Sequence, residues 1–271
     1  MERRNIMITG AARGLGHAMA EALTGAGHNV LAIDRDAFSA ETFKAGLGKI
    51  ETLAIDLTHP DAAARAMEAC ASSFGHVDVL INCAGIGQET ISQDFVTDPV
   101  KFWTVKDEDW DRIFAVNVRS SFRLCRAVTP SMIKARWGRI INVTTSLETM
   151  IRPGMAPYGP SKAAFEALTA IIAKDLEGTG VTANVLVPGG PANTRMMPNI
   201  PGPQRALLVQ PDLMRAPIVW LVSGESGNIN GMRFRANAWD AAKPGHEAAA
   251  LAGAPAAWSG IAGGAAAVAG R

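Results

Sequence analysis

A single tyrosine, Tyr158, stands four positions before Lys162 in a chain of 271 residues. Tyrosine ordinarily serves as an apolar packing body with a polar tip, so a chain that keeps only one has little structural use for it. Pro160, just beyond it, suits the first turn of a helix, where a missing N–H costs nothing, and residues 161–176 read as helical. If that helix starts near Tyr158, residues i and i+4 share a face and an ammonium sits beside a phenol. A neighbouring cation stabilises phenolate and draws its pKa from about 10 toward neutrality, which makes a usable proton donor and acceptor. The pair alone leaves a second reading equally open, a packing aromatic that chance set before a lysine.

Short apolar runs alternate with helical stretches around this pair, the signature of a parallel sheet with crossover helices. Strands are expected at 6–9, 30–33, 51–55, 77–82, 139–143 and 182–187, with a weaker seventh at 232–236. Helices are expected at 15–24, 61–74, 108–135 (stopped or kinked at Pro130), 161–176 and 211–221. Neither a repeat nor a polar linker divides the chain, so residues 1–240 read as one α/β domain, followed by an Ala/Gly-rich tail at 241–271. Longer loops at 85–106 and 188–210 lie beyond strand ends, where such folds build ligand sites.

The first strand runs into Gly10-Ala11-Ala12-Arg13-Gly14-Leu15-Gly16 and then a helix. Small residues there let backbone N–H groups approach a pyrophosphate resting on the positive end of the helix. A plain strand-to-helix turn is the alternative. The second strand ends in Asp34, a carboxylate placed to accept both hydroxyls of an adenosine ribose and to repel a 2′-phosphate, which favours NAD. Arg13 and Arg35 point the other way, since either could neutralise the phosphate of NADP. Asp56 and Leu57 close the third strand, where Asp56 could touch an adenine ring or cap the helix that follows.

Taken together, these residues resemble the short-chain dehydrogenase/reductase family over about residues 5–239. Thr9-Gly10-x-x-x-Gly14-x-Gly16 is similar to its nucleotide-binding turn. Asn82-Cys83-Ala84-Gly85 is similar to its Asn-Asn-Ala-Gly segment, with Cys83 as a departure. Asn117, Tyr158 and Lys162 resemble three members of its catalytic tetrad, and Pro188-Gly189 its turn that meets the nicotinamide. The family's serine falls here on either Thr145, at the usual offset, or Ser146, which is favoured. Thr194, one residue further from Pro188 than usual, is expected at the cofactor carboxamide. The resemblance implies a Rossmann-type, doubly wound, seven-stranded parallel sheet and a nicotinamide cofactor. In the mechanism it implies, Tyr158 exchanges a proton while hydride moves, Lys162 tunes Tyr158 and bonds the nicotinamide ribose, Ser146 orients the substrate oxygen, and Asn117 holds a water that relays protons.

Composition narrows the partners. The net charge of +1, without a basic run, argues against nucleic acid or an anionic membrane. Cys70, Cys83 and Cys125 match neither a metal-ligand set nor a disulfide framework, so no metal is expected and a reducing cytoplasm is the expected home. The uncharged stretch 248–270 is long enough to span a bilayer, but Ala and Gly supply little transfer energy, so a loose tail or one draped over a neighbouring subunit is expected. Ile86, Ile151, Met155, Met196, Met197 and Ile200 offer an adaptable, mostly apolar pocket lining, and 188–210 is a candidate lid. The expected substrate is therefore a small, mostly apolar secondary alcohol or ketone, turned over with NAD by a homodimer or homotetramer. An NADP-linked carbonyl reductase is the alternative, and a nucleotide-sensing protein without chemistry is the third reading.

Overall fold

The computed structural model describes residues 2–258. Its sheet is built from β1 (Asn5–Thr9), β2 (Asn29–Asp34), β3 (Ile50–Ala54), β4 (Val79–Asn82), β5 (Gly138–Val143), β6 (Val181–Val187), β7 (Met232–Arg235) and β8 (Gly253–Pro255). Around it lie α1 (Gly14–Gly25), α2 (Ala62–Phe74), α3 (Asp107–Phe114), α4 (Ser120–Ala135), α5 (Leu147–Ile151), α6 (Tyr158–Asp175), α7 (Gly202–Arg205), α8 (Arg215–Val222) and α9 (Gly245–Ala252). All seven strands expected from the sequence are present. The helix expected at 108–135 passes through Pro130 unbroken and is interrupted earlier, by a π turn at Ala115–Arg119 that contains Asn117.

Strand order is β3-β2-β1-β4-β5-β6-β7-β8. The first seven strands pair in parallel and β8 runs antiparallel on β7, from Met232↔Pro255 to Phe234↔Gly253. The order reverses between β1 and β4, and ligands of such sheets bind outside the carboxyl ends of the strands at that switch point. Both faces of the sheet are covered, so its strands read as continuous apolar runs. On β1, Ile6 and Ile8 pack with Met19 and Leu23 of α1 and with Ile218 and Leu221 of α8. Met7 faces the opposite layer, with Ala66 of α2, Val128 of α4 and Ala173 of α6.

The described part of the expected loose tail is ordered. Residues 245–255 form α9 and β8, and β8 extends the expected seven-stranded sheet to eight. Small side chains make this possible: Ala248, Ala252 and Ala256 are buried, and a Cβ on Gly253 would stand 2.6 Å from the Ala249 carbonyl oxygen. Pairing also satisfies backbone groups on β7 that an open edge would leave exposed. No helix among the described residues is long and apolar enough to cross a membrane; most of the 248–270 stretch lies outside the described residues.

Candidate active site

The carboxyl ends of β1 and β4 are tied together by one side chain. Thr9 Oγ1 accepts hydrogen bonds from the backbone N–H groups of Cys83 and Ala84, each at 3.1 Å. Gly10 follows with φ of 69°, and a Cβ there would meet the Ala84 Cα at 2.8 Å. A Cβ on Gly16 would lie 2.1 Å from the Gly10 carbonyl oxygen, so helix and strand approach as closely as backbone allows. Leu15, between them, packs on the core layer beneath. Arg13 occupies the N-cap of the twelve-residue α1 with extended backbone and no side-chain cap. The first amides of α1 therefore keep their hydrogen-bonding capacity, and the helix dipole adds positive potential where a pyrophosphate would rest.

The turn is aligned with the end of β2. Ala11 N–H donates to the Ile33 carbonyl at 3.1 Å, and Ala12 N–H donates to Asp34 Oδ2 at 3.1 Å. Both arginines that could favour a phosphate are drawn to Asp36. Arg13 pairs with it directly, and Arg35 Nε lies 3.7 Å away. The Arg13 guanidinium in turn holds the Asp36 carboxyl below its ordinary pKa. Asp56 accepts from the Thr58 backbone at 2.8 Å and its hydroxyl at 2.7 Å, bonds that lower its pKa. It shapes the turn before α2, which begins later, at Ala62, while Leu57 packs under that helix. Asn82 turns into the sheet, where its amide donates to Asn142 Oδ1 at 2.9 Å, so that side chain joins β4 to β5.

The chemistry-bearing residues converge beyond β5. Tyr158 is the first residue of α6, and Lys162 follows one turn later; both are buried. The Lys162 ammonium donates to the Val143 carbonyl at 3.1 Å and would stand 3.2 Å from a Cβ on Gly85. Burial pulls its pKa down to about 8, against a smaller upward pull from Cys83. At Tyr158, desolvation by burial is the dominant influence. Burial pushes the phenol up to about 12; the nearby Thr145 side chain works against this, and the charges of Glu89 and Cys83 add to it.

Surroundings distinguish the two hydroxyl candidates. The Thr145 side chain lies near Tyr158, whereas Ser146 caps α5, its Oγ accepting from Thr149 N–H at 3.1 Å and lying 2.7 Å from Thr149 Oγ1. Asn117 is fully buried. Its Oδ1 accepts from Ile86 N–H at 2.9 Å, and its Nδ2 donates to the Ile86 carbonyl and to Ser161 Oγ, each at 2.9 Å. The side chain expected to hold a water is thus committed to fastening the loop after β4 against α6.

The loop after β6 closes over these groups. Asn237 N–H donates to the Pro188 carbonyl at 3.1 Å, which ties the Pro188-Gly189 turn to the end of β7. The Thr194 methyl lies 3.1 Å from where a Cβ of Gly14 would begin, so Thr194 stands over the phosphate turn. Arg205 of α7 donates to Asn193 Oδ1 at 2.9 Å and to the Met197 carbonyl at 2.6 Å. Met196 Sδ would meet a Cβ on Gly87 at 3.2 Å, bringing the candidate lid onto the loop after β4. Glu89 on that loop was not expected at the site. Its Oε1 accepts from Gly87 N–H at 3.0 Å, its Oε2 is buried without a partner among the described residues, and burial raises its pKa. Irregular backbone carries no periodicity, so no sequence signal could have singled it out.

A dinucleotide turn at a switch point, with a buried tyrosine and lysine one helical turn apart, defines an oxidoreductase site of the Rossmann class. Known proteins agree. The family described as short chain dehydrogenase matches residues 4–204. The 3-oxoacyl-[acyl-carrier-protein] reductase FabG of Vibrio cholerae is 32% identical over 247 residues, covering 88% of this chain and 97% of the relative. FabG of Escherichia coli is 31% identical over 246 residues, covering 87% and 96%. Among solved structures, a protein from Beutenbergia cavernae described as an NAD(P)-dependent gluconate 5-dehydrogenase, with NADP bound at low occupancy, superposes with a TM-score of 0.75. It is 27% identical, and the match covers 86% of this chain and 94% of that one. The chain belongs to the short-chain dehydrogenase/reductase family and is an NAD(P)-dependent oxidoreductase acting on carbinol or carbonyl groups.

Proposed function

We propose that the protein interconverts a small secondary alcohol and its ketone with NAD, using Thr145 and Tyr158 on the substrate oxygen. The observation that carries this is the placement of the Thr145 side chain near the Tyr158 phenol at the end of β5, beside the buried Lys162. Two hydroxyls this near each other can both turn to one carbonyl oxygen. Tyr158, held protonated by burial, donates its proton to a ketone in the reductive direction; in reverse it takes the carbinol proton. Thr145 polarises the same oxygen, and Ser146 holds α5 in place.

The residues fit a dinucleotide: the close approaches at Gly10 and Gly16 leave no room for side chains, and the α1 amides carry no side-chain cap. Gly10, Arg13, Gly14, Leu15 and Gly16 would hold the pyrophosphate, with Thr194 above Gly14. Asp34 would take the adenosine ribose, and Asp56 with Leu57 would border the adenine. Asn82, Ala84 and Gly85 would line the path to Lys162 on the nicotinamide ribose, and Pro188 and Gly189 would border the nicotinamide. When bound, the nicotinamide supplies hydride transfer to or from the carbinol carbon. Asn117 fixes the Ile86 loop, so a water relay there would run through the main chain of its π turn.

NAD is favoured because Asp34 stands at the ribose end while Asp36 engages both arginines. Fluorescence titration with NADH and NADPH tests this; tighter NADPH binding would overturn it. NADP-linked reduction of a 3-oxoacyl group is the second reading, supported by the FabG relatives; a screen of ketones, secondary alcohols and 3-oxoacyl thioesters with both cofactors separates the two. Cofactor binding without any turnover would favour a nucleotide sensor. Three free cysteines support a reducing cytoplasm. Exposed Phe122 and Ile133 of α4 and Ile171 of α6 support a homodimer or homotetramer through these helices; light scattering that shows a monomer would refute it.

A further inference from the structure

A buried ion pair, distinct from the tyrosine and lysine, reaches the active site from behind. Arg233 lies on β7 and Glu166 on α6, one turn beyond Lys162; Glu166 is 0% exposed and Arg233 6%. The guanidinium divides between two jobs. Its Nη1 pairs with Glu166 Oε2 and reaches Thr144 Oγ1 at 3.4 Å, while its Nη2 donates to the Thr145 carbonyl at 2.6 Å. Glu166 is bound on both oxygens. Thr144 Oγ1 donates to its Oε2 at 2.7 Å, and Ala257 N–H, just past β8, donates to its Oε1 at 3.2 Å. The cluster therefore ties together α6, the residues after β5, β7 and the C-terminal segment.

Removing two charges from water costs several kcal/mol per ion, and well-packed apolar residues of similar volume often serve stability as well or better. Stability is thus a weak account of this pair, whereas geometry offers a direct one. Thr145 is held by its carbonyl from Arg233 while its side chain lies near Tyr158, so the guanidinium determines where the hydroxyl sits. We propose that Arg233 and Glu166 are positioning residues that set the Thr145 hydroxyl against Tyr158, with the C-terminal segment completing the device through Ala257 N–H. This rests on the reading of Thr145 as the group that polarises the substrate oxygen.

The test is a double-mutant cycle on the full chain, comparing Arg233→Met, Thr145→Val and both together for kcat, KM and NADH affinity. Arg233→Met is expected to lower kcat about tenfold with NADH affinity within about twofold of wild type, and to add almost nothing in the Thr145→Val background. Multiplicative losses in the double variant, or a wild-type kcat for Arg233→Met, would overturn the positioning role alone. A near-normal kcat for Thr145→Val would overturn the hydroxyl assignment and this inference with it. Should Arg233→Met not fold, Arg233→Lys decides, because one ammonium keeps the charge facing Glu166 but cannot also span to the Thr145 carbonyl. A kcat about fivefold lower with Tm near wild type is expected, again without further loss beside Thr145→Val; an unchanged kcat would sink the proposal.

Discussion

The half of the sheet from β1 to β3 and the half from β5 to β8 prepare their ligand surfaces by different means. On the first, backbone does the work: Gly10 and Gly16 allow contacts that any side chain would block, and the α1 amides are presented without a cap. On the second, side chains that are distant in sequence meet. Thr145, Lys162, Glu166 and Arg233 come from three strands' worth of chain and are held by hydrogen bonds to one another or to the end of β5, with Tyr158 buried beside them. A surface made of backbone tolerates few substitutions but depends on few partners. One made of buried charge is specific only while every partner is present.

The largest expected effect breaks the second surface and spares the first. Tyr158→Phe should lower kcat about a thousandfold while NADH still binds; near-normal turnover would remove Tyr158 as proton donor. Gly16→Ala does the reverse, costing about 1–3 kcal/mol of stability through overpacking against Gly10 and weakening NADH binding, as thermal melts and titration would show. Thr145→Val should lower kcat roughly ten- to hundredfold, the scale of a hydrogen bond to a charged group. Ser146→Ala should instead cost about 1 kcal/mol in stability by removing a helix cap. Equal kcat losses in the two variants would return Ser146 to the chemistry. Asp34→Ala should move the NADH-to-NADPH affinity ratio toward NADPH by roughly tenfold, and an unmoved ratio would show that Asp36 and the arginines decide cofactor choice.

The smallest effect is one of pH. Oxidation of an alcohol needs the Tyr158 phenolate, and the Glu89 carboxylate raises the Tyr158 pKa. Glu89→Gln removes that charge, so the oxidation rate should begin its rise at lower pH, with the reductive rate changed in the opposite sense. An oxidation profile that stays put would place Glu89 outside the reach of Tyr158. Lys162, pulled down to about 8 by burial, should lose its charge near that pH, and reduction should weaken as pH passes through it.

Much of the fold was legible because each strand of a doubly covered sheet is a contiguous apolar run, and each crossover helix has its own period. Pro130 misled for a local reason: proline strains a helix, yet α4 continues through it, and the irregular turn falls instead at Asn117, where the amide clasps Ile86 and Ser161. The C-terminal segment misled more. Alanine and glycine supply little hydrophobic signal, but their small size is what lets α9 and β8 pack against β7.

By itself the sequence determined the dinucleotide turn, the Tyr158–Lys162 spacing and the positions of the seven strands along the chain, since each of these is written within a few residues. Only the tertiary structure decided that the Thr145 side chain lies near Tyr158 while Ser146 caps a helix, that Asp36 engages Arg13 and Arg35, and that Arg233 bonds both Glu166 and the Thr145 carbonyl. The Glu166 cluster depends on which groups meet across 22 to 91 residues of chain, and the pKa of Tyr158 on how far burial outweighs its neighbours, neither of which has a local period to read.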